Sequence, residues 1–463
     1  MFGGLATEED HETHTIGHAP SIGGRPARLG AMLIRTSDLA GAIHGTLEGP
    51  DVICDGVTQD SRSITPGQLF VPIVAERDGH DFIDEALANG AAAYLTAGSR
   101  RGGSAIVVPD TLAALGAAGG YARTRLPDRV VAVTGSVGKT SVKDLLAAAL
   151  AQQWPTTAST RSFNNELGVP LTLLNAPEGT EAVVVEMGAR GVGHIAHLCV
   201  MASPTIGVIT RVAAAHTEVF GTLAEVARAK GELAEALPAS GVAVLYAADP
   251  LVLAMAERTV ARVVTFGSGG DVAAESIVVA EDLRPRFWLV SPWGRAEVML
   301  RARGRHQVDN ALAAAAAALA AGEDLAAVVA GLETGELSPW RMELDTAAGG
   351  ARVLNDSYNA NPTSVAAALR ALAALPARRR VAVLGVMAEL GEGSLAEHRA
   401  IGELAAELGI QLIAVAAPGY GGENVADLDA AQAALGALGD GDAVLVKGSR
   451  VAGLERLAAA LLG

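Results

Sequence analysis

The sequence predicts an α/β protein of three domains, and three observations support this prediction. At 463 residues the chain is too long for one ordinary hydrophobic core. Half of its residues are apolar, which is enough material to fill several cores. Short β-branched runs alternate with helical patterns along most of the chain, and this alternation is typical of parallel sheets covered by helices.

The first structured segment is predicted at residues 31–126, after a polar, glycine-rich leader at residues 1–30 that we expect to be disordered. Short apolar runs in this segment are broken by Asp, Gly and Pro. A helical stretch, Asp81–Asn89, lies between two of these runs. The pattern predicts a small α/β domain.

The second segment, residues 127–337, opens with the apolar run Arg129–Val133, a glycine-rich loop and a helix. Three further buried runs follow, each with a helical pattern after it: Ala182–Glu186, Thr205–Thr210 and Val242–Leu245. We therefore expect a doubly wound parallel sheet here. The stretch Gly267–Arg303 is predicted to form short strands and turns.

The third segment, residues 338–463, has the same alternation of buried runs and helices. It lacks a Gly-x-Gly-x-x-Gly fingerprint, so the pattern indicates a Rossmann-like domain without a dinucleotide-binding turn.

Composition excludes several classes of partner. The formal net charge of −16 argues against a broad nucleic-acid surface, which requires clustered positive charge. No apolar run reaches the length of about 18 residues that a membrane span needs. Cys54 and Cys199 are far apart and lack metal-ligand spacing, which indicates two reduced thiols. We expect a cytoplasmic protein.

The glycine-rich loop is the strongest functional signal. It lies between a buried strand and a helix, where backbone amides and the helix N-terminus can hold phosphate oxygens. Lys139 is placed to reach the β- and γ-phosphates of ATP, and the Thr140 hydroxyl to ligate Mg²⁺. A strict Walker A motif has Gly where this chain has Val133. The predicted ATP-binding residues of the loop are Gly135, Ser136, Val137, Gly138, Lys139, Thr140 and Ser141.

Two further residues are candidate Mg²⁺ ligands because they follow strands of the same predicted sheet. Glu186 ends one apolar run, and His216 follows another after a short loop. Carboxylate and imidazole groups at the carboxyl ends of neighbouring strands would lie beside the phosphate loop. Taken alone, each also fits an ordinary strand-end charge or a packed loop histidine.

Polar clusters interrupt apolar sequence at several other places, as is typical of ligand-binding loops. The clusters are Asp60-Ser61-Arg62, Asn164-Asn165, Gly304-Arg305-His306 with Asn310, Trp340-Arg341, and the stretch Asn355-Asp356-Ser357-Tyr358-Asn359-Ala360-Asn361-Pro362.

Lys230 lies on a predicted helix that begins near Thr222, and by itself it is an ordinary surface lysine.

Together these motifs resemble the Mur ligase family over nearly the whole chain after the leader. Besides Asp60-Ser61-Arg62 and Asn355–Pro362, the specific blocks are Asp78-Gly79-His80-Asp81-Phe82, Asn164-Asn165-Glu166-Leu167-Gly168-Val169-Pro170, Glu389-Leu390-Gly391-Glu392 and Val446-Lys447-Gly448-Ser449. The resemblance implies an ATP- and Mg²⁺-dependent ligase that activates a carboxylate as an acyl phosphate. It implies two small-molecule substrates, a UDP-sugar peptide and D-alanyl-D-alanine, and we expect a monomer.

The resemblance also implies roles for individual residues. Ser61, Arg62, Asn164, Asn165, Tyr358 and Asn361 would bind substrate. Asn310, Arg341 and Asp356 would contact ATP. Lys139, His216, Lys230 and Arg341 would be catalytic. Mg²⁺ would be held by Thr140, Glu186, His216 and a carbamylated Lys230.

Three residues depart from the family pattern. Arg211 and Tyr246 each stand where the family usually has Asn, and Val386 stands where it has a carboxylate. They motivate two alternatives. One is a family member that joins a different carboxylate and amine. The other is a protein that binds ATP without ligating, against which the retained Lys139 and Glu186 argue.

Overall fold

The structure is a computed structural model, and it describes residues 30–213 and 220–463. The predicted leader, apart from Gly30, therefore lies outside the described residues. The chain divides into two compact units, which are taken separately below. One contains the residues up to Leu126 together with Glu166–Thr180, and the other contains Pro127–Asn165 and Glu181–Gly463.

The first unit is a small α/β fold, as the alternating pattern predicts. A five-stranded sheet has the order Thr46–Glu48, Ser104–Val107, Ala93–Thr96, Leu69–Phe70 and Val57–Thr58. The first of these pairs antiparallel and the others are parallel. Leu33–Arg35 and Ile53–Asp55 form a separate antiparallel pair. The helices are Thr36–Ala42, Ile83–Ala88, Thr111–Arg123 and Gly168–Leu174.

Glu166–Thr180 belongs to this first unit, whereas the sequence places it in the central segment. The reason is packing between residues distant in sequence. A Cβ on Gly119 would come within 2.6 Å of Pro170, so the helices Thr111–Arg123 and Gly168–Leu174 touch through a glycine. The Asn175 side chain also bonds both backbone groups of Val57, at 2.9 and 2.8 Å. The local hydrophobic periodicity of the sequence does not indicate these contacts.

The second unit begins with a six-stranded sheet in which every pairing is parallel. Its order is Arg262–Phe266, Val242–Tyr246, Ile206–Ile209, Val130–Thr134, Ala182–Glu186 and Thr156–Ala158. Val130–Thr134 is buried throughout because it lies inside the sheet with helices on both faces. All carboxyl ends of these strands meet at one edge, which is where such folds bind ligands.

Helices cover this sheet, and the stretch Gly267–Arg303 forms an added three-stranded antiparallel sheet, as predicted. The added strands are Ala273–Val279, Pro285–Ser291 and Gly294–Met299. A Cβ on Gly331 would come 2.4 Å from the Ala149 backbone, so helix Leu325–Thr334 packs directly on helix Lys139–Leu150. The other helices are His194–Ala202, Leu223–Glu235, Pro250–Leu253 and Gln307–Ala320.

A second six-stranded sheet follows residue 340 and completes the Rossmann-like pattern. Its order is Glu343–Thr346, Arg352–Asn355, Asp442–Lys447, Arg379–Leu384, Gln411–Val415 and Glu423–Val425. Only the first pair is antiparallel. The covering helices are Pro362–Ala374, Ser394–Glu407, Leu428–Leu435 and Glu455–Leu462. The α/β fold class with several sheet domains is thus as predicted.

No helix within the described part of the chain is long and apolar enough to cross a membrane. Cys54 and Cys199 are both buried and free.

Candidate active site

The glycine loop turns sharply between strand Val130–Thr134 and helix Lys139–Leu150. Gly135 and Gly138 have φ values of +142° and +87°, which residues with a Cβ rarely adopt. A Cβ on Gly135 would come 2.0 Å from Thr210 Oγ1, and one on Gly138 would come 2.4 Å from Asn310 Oδ1. The loop therefore requires glycine at both positions, and Asn310 lies directly beside it.

Lys139 folds back over this loop and donates from Nζ to the Gly135 carbonyl at 2.8 Å. Desolvation lowers the pKa of its ammonium group; Glu186 opposes the shift and Arg341 adds to it. A polyanion on the loop would stabilise the charged form of this lysine. The position fits a group that contacts phosphate oxygens.

Two of the predicted Mg²⁺ ligands, Thr140 on the loop helix and Glu186 at the end of its strand, lie within hydrogen-bond distance of each other. Thr140 Oγ1 donates to Glu186 Oε2 at 2.7 Å, and Asn164 Nδ2 donates to Glu186 Oε1 at 2.9 Å. Both Thr140 and Glu186 are buried. Mg²⁺ prefers such oxygen ligands and takes few from the protein when substrate phosphates supply the others. The hydroxyl and carboxylate present fit this ion.

Arg341 reaches the same point from the linker, residues 335–342, which joins helix Leu325–Thr334 to strand Glu343–Thr346. Its Nη2 donates to Thr140 Oγ1 at 2.9 Å, and its guanidinium lies 4.3 Å from the centre of the Tyr358 ring. The Tyr358 hydroxyl in turn contacts Ser162 Oγ. Arg341 Nε is buried, and no described residue accepts a hydrogen bond from it. The guanidinium thus has a spare donor close to the loop.

Asp356 is held by a buried lysine that had no predicted role. Lys447 Nζ donates to Asp356 Oδ2 at 2.6 Å and to the Asn359 carbonyl at 2.8 Å. Asp356 Oδ1 accepts from the backbone N–H of Met342 at 3.2 Å. The carboxylate therefore ties the polar loop Asn355–Pro362 to the residue that follows Arg341. A lysine directly after the buried run Ala443–Val446 was the available sequence signal.

Lys230 lies buried on helix Leu223–Glu235 rather than at the surface. Its pKa is lowered to about 7, mainly by burial and also by Lys139, while Glu186 and Glu232 oppose the shift. The whole chain contains only four lysines, Lys139, Lys143, Lys230 and Lys447. The last three are each no more than 3% exposed, so these lysines are interior groups and the surface cations are arginines.

The remaining predicted residues fall into three groups. His216 lies outside the described residues. Ser61 and Arg62 belong to the first unit, where Ser61 Oγ donates to Glu85 at 2.8 Å and Arg62 pairs with Asp60 at 3.0 Å. In the second unit, Asn361 is the N-cap of helix Pro362–Ala374. Ser141 is buried in the first turn of the loop helix, and Asn165 follows Asn164.

Two of the departures from the family pattern contact each other. Arg211 Nη2 donates to the Tyr246 hydroxyl at 2.8 Å, and that hydroxyl donates to Asp309 Oδ2 at 3.1 Å. The Arg211 carbonyl accepts from the backbone N–H of Ser136, at 2.7 Å. The substituted pair therefore forms one connected set beside the phosphate loop. Val386 packs separately, against the core of the second sheet.

The contact between Arg211 and Tyr246 predicts non-additive effects on stability. We expect the double variant Arg211→Ala/Tyr246→Phe to differ from the sum of the single variants by about 0.5–1.5 kcal/mol in unfolding free energy. Urea unfolding of the four proteins measures this coupling. Arg211→Ala combined with Tyr420→Phe is the control, because Tyr420 bonds the distant Gly385 carbonyl. Additive effects of Arg211→Ala and Tyr246→Phe would contradict the hydrogen bond between these two side chains.

The fold and this set of residues define a phosphate-loop enzyme that uses ATP with Mg²⁺. Sequence profiles of the Mur ligase middle domain and of the Mur ligase glutamate ligase domain match residues 133–318 and 340–450. The chain is 42% identical to the UDP-N-acetylmuramoyl-tripeptide--D-alanyl-D-alanine ligase of Mycobacterium bovis, covering 87% of this chain and 91% of that protein. The chain belongs to the Mur ligase family.

Solved structures agree. MurF from Acinetobacter baumannii superposes with a TM-score of 0.86 at 31% identity, over 93% of this chain and 99% of that one. MurF from Thermotoga maritima, solved in complex with ADP, superposes with a TM-score of 0.78 at 28% identity, over 87% and 96%.

Proposed function

We propose that this chain is an ATP-dependent ligase that joins D-alanyl-D-alanine to UDP-N-acetylmuramoyl-tripeptide, in the synthesis of peptidoglycan precursors. The observation that carries the proposal is the meeting of three elements at the Thr140 hydroxyl. The phosphate loop, the Glu186 strand and the linker arginine all converge there. The relatives with this name span nearly the whole chain, which supports the choice of substrates.

In the first step, a carboxylate of the peptide attacks the γ-phosphate of ATP and forms an acyl phosphate and ADP. Lys139 and the loop amides hold the phosphates, while Arg341 brings a second cation to the Thr140 hydroxyl at the start of the loop helix. Positive charge on both sides offsets the repulsion between two anionic reactants. Thr140 and Glu186 would hold Mg²⁺, which supplies further charge stabilisation for phosphoryl transfer.

In the second step, the amine of the dipeptide attacks the acyl carbonyl and phosphate leaves. Water must be kept out because it would hydrolyse the acyl phosphate. Arg341 and Tyr358 come from the C-terminal part of the chain and contact Thr140 and Ser162 of the central part. These contacts close that side of the loop, as domain closure does in enzymes that protect reactive intermediates.

The roles of the individual residues follow from this proposal. Asn310 and Asp356 would contact ATP beside the loop, and His216 and a carbamylated Lys230 would complete the metal ligands. Ser61, Arg62, Asn164, Asn165, Tyr358 and Asn361 contact the substrates. The enzyme works as a monomer in the cytoplasm, which sedimentation of the purified protein and fractionation of cells would check.

A family member that acts on a different acid and amine is the competing function. The substitutions at Arg211, Tyr246 and Val386 motivated this alternative. Arg211 and Tyr246 satisfy each other beside the phosphate loop, on the opposite side of strand Val130–Thr134 from Glu186. They therefore do not argue for a changed carboxylate site.

Release of ADP from purified enzyme distinguishes the functions. We expect ATP turnover that requires both UDP-N-acetylmuramoyl-tripeptide and D-alanyl-D-alanine, with amide product in equal amount to ADP. Turnover only with another acid and amine would establish the alternative ligase. No turnover with any acceptor, despite ATP binding, would establish the non-catalytic protein.

A further inference from the structure

A buried ion pair on the phosphate-loop helix has no part in the chemistry described above. Lys143 and Asp144 are 2.8 Å apart, and their side chains are only 3% and 11% exposed. Lys143 Nζ also donates to the Ser159 carbonyl at 2.7 Å. A buried pair of this kind contributes little net stability compared with apolar residues of similar size. Its contacts therefore point to a positional role.

The second oxygen of Asp144 binds the same linker that carries Arg341. Asp144 Oδ2 accepts from the backbone N–H of Ser338 at 2.7 Å, across 194 residues of sequence. Arg341, three residues later, returns to Thr140 on the same helix. Thr140 and Asp144 are four residues apart and so lie on one helix face. One face of the loop helix thus holds the linker at two points.

The linker between these points has an unfavourable backbone. Trp340 and Met342, on either side of Arg341, have φ values of +62° and +55°. Residues with a Cβ adopt this region only when surrounding contacts impose it. The Asp144 contact precedes the strained stretch, and the Asp356 contact holds its last residue, Met342. Loss of either contact allows the linker to relax.

The same ion pair is connected to the metal-binding side. Lys143 holds the Ser159 carbonyl, and Ser159 Oγ accepts from the backbone N–H of Glu186 at 3.1 Å. Polar contacts thus run from Ser338 through Asp144 and Lys143 to the strand that carries Glu186.

We propose that Asp144 is a positioning residue that fixes Arg341 against the phosphate loop through the Ser338 amide, while Lys143 neutralises its buried carboxylate. This inference rests on the proposed function for the role of Arg341, but the anchoring itself concerns the linker alone. Asp144 acts only through Arg341 and makes no contact with the reacting atoms.

Three variants separate this role from a general effect on folding. Asp144→Ala removes the acceptor and leaves Lys143 unpaired. Lys143→Met/Asp144→Asn removes both charges but keeps an amide oxygen for Ser338. Asp144→Ala/Arg341→Ala tests whether Asp144 acts through the arginine. Asp427→Asn is the control, since Asp427 caps helix Leu428–Leu435 away from the linker.

We expect Asp144→Ala to lower kcat about 10- to 100-fold, because small displacements of a catalytic group have effects of that size. The variant without either charge, Lys143→Met/Asp144→Asn (the neutral pair), should keep kcat within about threefold of the wild type. In the Arg341→Ala background, Asp144→Ala should lower kcat by less than about a further twofold. Any of three results would overturn the proposal. Asp144→Ala could keep the wild-type kcat, or the neutral pair could lose as much kcat as Asp144→Ala. Asp144→Ala could also lower kcat by its full factor in the Arg341→Ala background.

Hydrogen exchange of residues 336–342 tests the anchor without turnover. We expect faster amide exchange in Asp144→Ala and wild-type exchange in the neutral pair and in Asp427→Asn. Unchanged exchange in Asp144→Ala would overturn the proposal. A wild-type enzyme that fails to ligate the proposed substrates would refute the proposed function only, because the exchange result does not depend on it.

Discussion

Replacing Lys139 by alanine is expected to lower kcat for ADP release by at least about 10³-fold, since groups that clamp transferring phosphates have effects of this order. The other lysines near the site are committed elsewhere. Lys143 binds Asp144, and Lys447 binds Asp356. The remaining lysine, Lys230, is assigned to Mg²⁺ as a carbamate in the proposed mechanism, so no other lysine is available for the proposed contact with the phosphates. Steady-state ADP release at saturating substrates measures the effect.

The control for Lys139→Ala is Arg370→Ala, which removes an exposed cation from helix Pro362–Ala374. We expect this control to keep wild-type kcat. The unfolding midpoint of Lys139→Ala should match the wild type, because the ammonium group makes one hydrogen bond, to Gly135, and loses hydration on folding. A kcat within about tenfold of the wild type would remove Lys139 from the mechanism.

The fold class and the phosphate loop could be predicted from the sequence because both depend on local pattern. A buried β-branched run, two glycines and a helix start follow one another along Val130–Thr140, and each is fixed by its neighbours. Glu186 was also accessible, since a charge that ends a buried strand must lie at the sheet edge. The contact between Glu186 and Thr140 then follows from two adjacent parallel strands.

The contacts that hold the site together could not be predicted in this way. Lys447 meets Asp356 across 91 residues, and Asp144 meets Ser338 across 194. The first pairing depends on which strands are neighbours in the second six-stranded sheet, and the second depends on where the linker packs on the loop helix. The local sequence period records neither. The same cause explains why helix Gly168–Leu174 joins the first unit. The resemblance to a family supplied the role of Arg341, but not the contacts that place it.

The Arg211 and Tyr246 substitutions illustrate a further limit. In the sequence they lie 35 residues apart and look like two independent losses. In the structure one guanidinium and one hydroxyl satisfy each other and Asp309. A lost motif residue is therefore weak evidence for lost function until its spatial neighbours are known.

Replacing Lys230 by alanine is the second change with a large expected effect. We expect kcat to fall by about 10²–10³-fold, because a carbamate on this lysine would supply a carboxylate for Mg²⁺. The environment favours that modification. Burial lowers the pKa of Lys230 to about 7, so much of the amine is neutral near neutral pH and able to react with carbon dioxide. Steady-state ADP release with and without added short-chain carboxylic acids is the measurement.

Added formate or acetate should restore part of the activity of Lys230→Ala, since a free carboxylate can enter the space that the lysine side chain leaves. Lys447→Ala is the matched control. It also removes a buried lysine, but its loss leaves Asp356 unpaired and creates no need for a carboxylate. The acids should not restore that variant. Full activity of Lys230→Ala would contradict the carbamate, because the enzyme would then not need it. Equal rescue of Lys230→Ala and Lys447→Ala would also contradict it, because the acids would then act independently of the lysine's position.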